Sequence, residues 1–341
     1  LGKEPNGVEM DLQIIALDGT EDKSNLGANA TLAASMAIYK AHAILEELEL
    51  YELISYIFGS QSVALPFPMF NMINGGAHAN NNLQIQEFMV VPVGATNFRD
   101  SMEVAFTIFH EIKEILKKKG VSVAVGDEGG FAPFFKDDFE ALDIINQAIE
   151  IVSEKTGSRC VIALDIAATQ FYDVQRDSYL WARQPLTSQE LLSVYSEMIK
   201  KYPIYSIEDP FAQDDWTSWT AITKALDDKV QIVGDDIFAT SLYRISQGID
   251  KLVANAAVIK PNQVGTITES LHAIKLCKAA QMGTVISHRS GETCDTFIAD
   301  LAVGTSSGQI KSGGFSRGER MAKYNRLLKI EDDLTLSLLN S

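Results

Sequence analysis

Six short apolar runs in the second half of the chain each end in ionisable residues. They are VIALD, closing at Asp165; IYSIED, at Glu208 and Asp209; QIVGDD, at Asp235 and Asp236; AAVIK, at Lys260; GTVISHR, at His288 and Arg289; and GQIK, at Lys311. The first-named residues lie 43, 27, 25, 28 and 23 positions apart. Asp165, Glu208 and Asp235 come from three successive runs. Gathered in one cavity, three carboxylates repel one another unless they are protonated or bridged by a cation. An all-oxygen donor set selects a hard ion, Mg²⁺ rather than zinc. One aspartate after a strand is ordinarily a helix cap or an ion-pair partner, whereas three at corresponding positions point to a metal. Lys260 and Lys311 end the next runs. A lysine at the rim of a dry pocket can serve as a base, and a second can stabilise anionic charge. Neutralising the carboxylates opposite is compatible with both roles. The combination suits abstraction of a proton next to a carboxylate, because the dianion formed needs metal and cationic support.

Other candidates come from loops. Glu128 stands in GDEGGF, where flanking glycines let backbone and carboxyl approach a ligand closely. Glu87 follows Gln86 in QIQEFMVVP, at the start of a strand, and reads equally as a structural ion-pair residue. His78 lies in the Gly/Asn-rich NGGAHANNN, which is no core segment. His42, His110 and His272 fall within helix-like stretches and read as ordinary surface or core residues.

These residues need elements to hold them. Near-continuous apolar runs are the pattern of parallel strands buried on both faces. Helix-like stretches such as TSQELLSVYSEMIKKY and TITESLHAIKLCKAAQ separate them, which makes repeating βα units. Charged residues at six consecutive strand ends favour a barrel, whose strand ends converge on one mouth. A doubly wound sheet concentrates its site at one switch point with a Gly-rich phosphate turn, and neither G-x-G-x-x-G nor a Walker A motif is present. The fold class expected is therefore α/β, a TIM-like (β/α)8 barrel. Upstream, residues 1–23 read as polar and irregular, and 26–58 as one Ala/Leu/Glu-rich helix ended by Gly59-Ser60. Pro66 and Pro68 mark a linker, placing a boundary near residue 63, with 1–62 as one unit and 63–341 as the barrel. Strands are expected at 69–73 and 86–92, and helices at 98–119 and 137–156.

Bulk properties narrow the function. A chain of 341 residues suits a large barrel plus a smaller piece. A net charge of −16 disfavours nucleic acid and anionic lipid. The three lysines of EILKKKG sit at a helix end, where they complement the helix dipole. Cys160, Cys277 and Cys294 have no metal-site spacing and read as reduced thiols of a cytosolic protein. No apolar stretch reaches the roughly 18 residues of a membrane span, and no signal peptide is visible.

Nine segments stand in order: LDGTEDKSNLGANA, FNMINGGAHANNN, QEFMVVPVGA, VGDEGGFAP, SIEDPFAQDDW, VGDD, KPNQVGTITES, SHRSGETCDTFIADLAVG and GQIKSGGFSRGERMAKYNRLL. Together, from about Leu17 to Asp332, they resemble the enolase family, and the full set separates enolase proper from related barrel lyases and racemases. The resemblance implies a glycolytic and gluconeogenic hydro-lyase acting on 2-phosphoglycerate and phosphoenolpyruvate. It further implies a cytoplasmic homodimer or larger homo-oligomer, with a secreted or surface fraction as in some enolases. By that likeness Asp165, Glu208 and Asp235 bind the tighter Mg²⁺. Lys260 takes the C2 proton, and Lys311 lies by the substrate carboxylate. Glu128 assists departure of the C3 hydroxyl with Glu87 beside it. Arg289 and Ser290 hold the phosphate, while Gln86, His78 and His288 line the pocket.

Enolases begin with a small α+β domain whose mobile Ser-Gly-Ala-Ser-Thr-type loop closes the site and helps bind a second Mg²⁺. Residues 1–62 resemble only its later, helical part, so the chain is expected to lack the first part of that domain, to keep the first metal site, and to turn over little. Two rival readings are another dehydratase or racemase of the superfamily, and a non-catalytic scaffold or binding protein on the same barrel. The lysine pair with SHRSGET stands against the first, and the intact set of charged residues against the second.

Overall fold

A computed structural model describes residues 4–226 and 228–340. Eight strands close into a barrel. They are β1 (Phe67–Asn74), β2 (Glu87–Val91), β3 (Val161–Asp165), β7 (Ile204–Glu208), β8 (Gln231–Gly234), β9 (Ala256–Ile259), β10 (Gly283–Ser287) and β11 (Gly308–Lys311). The order around the barrel is β1-β11-β10-β9-β8-β7-β3-β2. Between β3 and β7 a separate three-stranded sheet forms from β4 (Tyr172–Asp173), β5 (Ser178–Trp181) and β6 (Gln184–Leu186).

The barrel departs from an all-parallel (β/α)8 design at one strand. β2 pairs antiparallel with both β1 and β3, while the other barrel pairings are parallel. The connection from β1 to β2 is short and carries no crossover helix long enough to return the chain, so β2 must run back the other way. Its first residue, Glu87, therefore lies at the mouth where the other strands end, in register with Asn74 and Asp165.

Alternation along the strands separates two cores. Met69, Met89, Val91, Val161, Ala163, Val233, Ala256, Val258 and Val285 form one cluster. Ile162, Leu164, Ile207, Ile232, Ile259, Ile286 and Ile310 belong to the other, packed with the helices. Successive strand side chains face opposite ways, so the first cluster fills the barrel and the second seals it to its helical coat. The inward parity continues up each strand: Ala163 to Asp165, Ser206 to Glu208, Val233 to Asp235, Val258 to Lys260, and Gln309 to Lys311. Five charged side chains thus arrive in one layer at the end of the barrel interior. The expected helices are present as Phe98–Lys118 and Asp138–Thr156, and the segments quoted above as helix-like fall on Ser188–Lys201 and Ile267–Ala279.

The upstream segment differs from expectation in two places. Residues Gly7–Asp18 form a helix, not an irregular segment. Asn6 caps its start by accepting from Glu9, and Gly19, in the left-handed conformation, closes its end. Its buried positions are Gly7, Asp11 and Asp18, so it carries no apolar stripe for a periodicity argument to find. The single helix over 26–58 is two, Ala28–Leu45 and Leu50–Phe58. Glu47, at φ +56°, breaks them, and Glu49 with Glu52 forms a capping box for the second. This helical unit grips the barrel through the start of helix Ile267–Ala279. Ser35 Oγ accepts from Ile267 N (3.0 Å), Asp11 Oδ2 from Thr268 N (2.9 Å), and Tyr39 Oη pairs with Thr268 Oγ1 (3.0 Å). Backbone N–H groups that a helix start leaves unmet are satisfied from another part of the chain.

Candidate active site and metal centre

Lys311 is the hub of the barrel mouth. Only 1% of it is exposed, and its Nζ donates to Glu208 Oε1 (2.7 Å), Glu87 Oε1 (3.0 Å) and Asp165 Oδ2 (3.1 Å). These three carboxylates come from neighbouring strands whose Cα atoms are in register. Burial raises the pKa of each. For Glu208 it is pushed well above the usual carboxylate range, with Asp165 adding to the effect and Lys311 opposing it. Lys311 itself is buried, which lowers its pKa, but Asp165, Glu208 and Glu87 outweigh that and hold it firmly protonated.

A second pair stands beside the hub. Lys260 Nζ donates to Asp235 Oδ2, and Gln263 Nε2 lies 3.4 Å from Asp235 Oδ1. Burial opposes both charges, yet mutual attraction wins: Asp235 is held below its ordinary pKa and Lys260 above its own. Asp209 joins β7 to the loop after β8. Its two carboxylate oxygens accept from Asp235 N and Asp236 N, each at 2.8 Å.

The opposite wall holds Glu87 and Glu128. Asn71 Nδ2 donates to Oε2 of both, at 3.2 and 3.1 Å. His78 Nδ1 is 3.1 Å from Glu128 Oε2, and His288 Nε2 is 3.4 Å from Glu128 Oε1. Burial would raise both acids. Glu87 does rise, with Glu128 adding to the push, whereas His78 and Lys311 bring Glu128 below its ordinary value. The two acids are thus pushed in opposite directions although Asn71 bridges them. His78 is raised because the pull of Glu128 exceeds the effect of burial, while burial and then Arg320 hold His288 well below its ordinary value. The Glu128 loop can lie this close because of its glycines. A Cβ on Gly126 would meet His78 O at 2.7 Å, and one on Gly130 would meet Asn71 Oδ1 at 2.8 Å.

Gln86, His78, Glu87, Glu128, Asp165, Asp235, Lys260, His288, Arg289, Ser290 and Lys311 all line one cavity of about 140 Å³. Glu208 lies beneath it, on Lys311. Every site residue singled out in the sequence is thus brought to one mouth. Arg289 and Ser290 are exposed at its rim, with Arg289 Nη1 on Asn262 Oδ1 (2.9 Å). A larger hollow of about 560 Å³ over helix Asp138–Thr156 holds lysines already paired, Lys119 with Glu140 and Lys201 with Asp143.

The donor set fits a hard divalent cation. Six acidic side chains line the cavity (Glu87, Glu128, Asp165, Asp209, Asp235 and Asp236) against three basic ones, Lys260, Arg289 and Lys311, so acidic groups are in excess. Glu208 Oε2 is buried without a hydrogen-bond partner, which is costly unless something positive meets it. Among the described residues, ligand atoms gather within 4.8 Å at His78, Glu87 and Glu128, and at Asp209, Asp235 and Asp236. Asp165, Glu208 and Asp235 do not form one of these groups: the first two bond Lys311 and the third bonds Lys260.

Several contributors were not singled out as site residues, although Asp209 closes one of the apolar runs. Asn71 bridges the two glutamates, Gln170 Nε2 donates to Gln86 Oε1 (2.6 Å), and Asp209 and Gln263 hold Asp235. Asn71 was also open to inference, because it follows the inward-facing Met69 by two residues on β1.

Asp138, 4% exposed, supports the site from behind. Its Oδ1 accepts from Gln84 N (2.9 Å) and Ile85 N (3.0 Å), immediately before Gln86 and Glu87. Burial lifts its pKa from 3.8 to about 6 despite these bonds. The folded state thus holds this proton more tightly than the unfolded chain, and stability falls as pH rises from about 4 through about 6. Asp138→Asn keeps an acceptor and buries no charge. In denaturant titrations its stability relative to wild type should improve by about 2–3 kcal/mol between about pH 4 and pH 7. A difference that stays flat with pH would count against the assignment.

Comparison with protein families gives two matches. Residues 62–338 match the family described as "Enolase, C-terminal TIM barrel domain", and residues 4–54 match "Enolase, N-terminal domain".

Proposed function

We propose, on the premise that the chain belongs to the enolase family, that it is an enolase proper: a Mg²⁺-dependent hydro-lyase interconverting 2-phospho-D-glycerate and phosphoenolpyruvate. The observation that carries this reading is the two-sided mouth. Lys260 with Asp235 stands on one side, Glu87 and Glu128 bridged by Asn71 on the other, and Lys311 between them.

Each side has a task in removing water from a small carboxylate. Lys260 takes the proton from C2, for which it must enter unprotonated and its ion pair with Asp235 must loosen. Mg²⁺ held by Asp165, Glu208 and Asp235 would supply charge beside the substrate carboxylate and relieve the carboxylates that the two lysines otherwise neutralise. Lys311 adds fixed positive charge where the dianion develops. Glu128 delivers a proton to the departing C3 hydroxyl, for which it must enter protonated, with Glu87, the acid that burial raises, beside it. His78 and Gln86 complete the wall, and Arg289 and Ser290 at the rim hold the phosphate. Work in glycolysis and gluconeogenesis in the cytoplasm, as a homodimer or larger assembly, belongs to the same reading. Its three unpaired cysteines fit a reducing compartment. The division into a helical N-terminal unit to residue 62 and a catalytic barrel beyond it is part of the proposal.

The test is ultraviolet detection of phosphoenolpyruvate formed by the complete gene product. Turnover of 2-phosphoglycerate is expected with Mg²⁺ and none with a chelator. Asp235→Asn should raise the Mg²⁺ needed for half-maximal rate by roughly 10-fold or more, because a charged ligand is lost. Inertness toward 2-phosphoglycerate, with turnover of a non-phosphorylated hydroxy acid, would replace this reading with that of another dehydratase.

A further inference from the structure

Arg320 lies near the start of the last helix, Gly318–Asn340, and is fully buried. Each N–H of its two terminal amino groups has an acceptor. Nη1 meets His288 Nδ1 and Arg289 O, both at 2.7 Å. Nη2 donates to Ser290 O (2.7 Å) and Asp127 O (3.1 Å). Gly313, at φ +85°, makes room for it, since a Cβ there would sit 2.7 Å from Arg320 Cδ.

We propose that Arg320 is a positioning residue: it fixes His288 as the neutral tautomer protonated on Nε2, and so presents a hydrogen-bond donor to the cavity beside Glu128. A guanidinium has donors only and does not lose its proton in proteins. The short contact to His288 Nδ1 therefore requires a lone pair on that nitrogen. An imidazolium there would set two donors against each other in a buried place, and burial and the charges of Arg320, Lys311 and Lys260 all disfavour it. The ring proton is left on Nε2. That atom is buried, has no hydrogen-bond partner, and lies 3.4 Å from Glu128 Oε1. It is a donor held ready for an oxygen entering beside Glu128.

The same guanidinium holds the carbonyls of Arg289 and Ser290 on one loop and of Asp127 on the other. It thus sets the spacing between the exposed rim of the cavity and the Glu128 loop. The catalytic consequence rests on the function proposed above, in which Glu128, the neighbour of His288 Nε2, meets the oxygen leaving C3. The tautomer does not depend on it.

Nitrogen-15 NMR of the imidazole rings, with the His288 signals assigned by their loss in His288→Gln, reads the tautomer directly. At neutral pH the protein should show an unprotonated Nδ1 and a protonated Nε2. Arg320→Lys retains a cationic donor and should keep that pattern. Arg320→Met should lose it, with Nδ1 gaining a proton in part or all of the molecules and kcat falling by about 10- to 100-fold as the two loops lose their spacing. Protonation of Nδ1 in the wild type overturns the proposal, as does an unchanged His288 pattern in folded Arg320→Met. Should Arg320→Met not fold, the wild-type and Arg320→Lys spectra decide. A wild-type spectrum as expected, in a protein inert toward 2-phosphoglycerate, supports this assignment while removing the substrate.

Discussion

Lys260→Ala in the complete gene product is expected to lower exchange of the substrate's C2 proton by roughly 10²–10⁴-fold, the span typical of a lost general base. Lys260 donates to Asp235 at the cavity wall, and that ion pair is the feature on which the base assignment stands. Exchange into deuterated solvent, read by proton NMR, isolates this step from departure of the hydroxyl. Mg²⁺ affinity should fall little, because Asp165, Glu208 and Asp235 all remain and Asp235 loses a competitor for its charge. Calorimetric titration with Mg²⁺ checks that half of the expectation. Normal exchange in the variant would place the base elsewhere and undo the division of labour across the mouth.

Lys311→Met is expected to damage stability as well as turnover. The substitution leaves Glu87, Asp165 and Glu208 buried around an apolar chain. Removing one partner from a buried charge cluster ordinarily costs about 3–5 kcal/mol, because the remaining charges lose their compensation. Protonation of the raised carboxylates softens the loss at low pH, so the destabilisation should grow as pH rises through their elevated range. Millimolar Mg²⁺ should then stabilise the variant more than it stabilises the wild type, since the cation meets carboxylates no longer held by an ammonium. Thermal melts with and without Mg²⁺ measure this. Equal Mg²⁺ effects in both proteins would show that Asp165 and Glu208 are not where the cation binds. Turnover in Lys311→Met should be lost with the charge that supports the dianion.

Much of this site was open to a reader of the chain, for a local reason. A strand alternates its faces every residue, so a charged residue two positions beyond an inward apolar one must face the same way. Asp165, Asp235 and Lys260 follow Ala163, Val233 and Val258 in this way, while Glu208 and Lys311 stand two positions beyond the polar Ser206 and Gln309, and repetition of the βα unit makes their convergence a consequence of spacing. The glycines around Glu128 likewise announced a close approach before any neighbour was known.

What the tertiary structure alone decided depends on contacts between distant parts of the chain. The reversal of β2 put Glu87 among the strand ends, where a strand in the common direction would have carried it to the far side of the barrel. Helix Gly7–Asp18 had no apolar period to betray it, because what it buries is Asp11, spent on the backbone of Thr268. Lys311 and Lys260 choose their carboxylates only when the strands stand side by side, and Glu87 rises while Glu128 falls because His78 reaches the second acid. Arg320 joins loops that begin some 190 and 30 residues before it. Periodicity is a property of neighbours along the chain, so it orients a side chain; which groups then share a charge or a proton is settled by distance in space, which only the closed barrel defines.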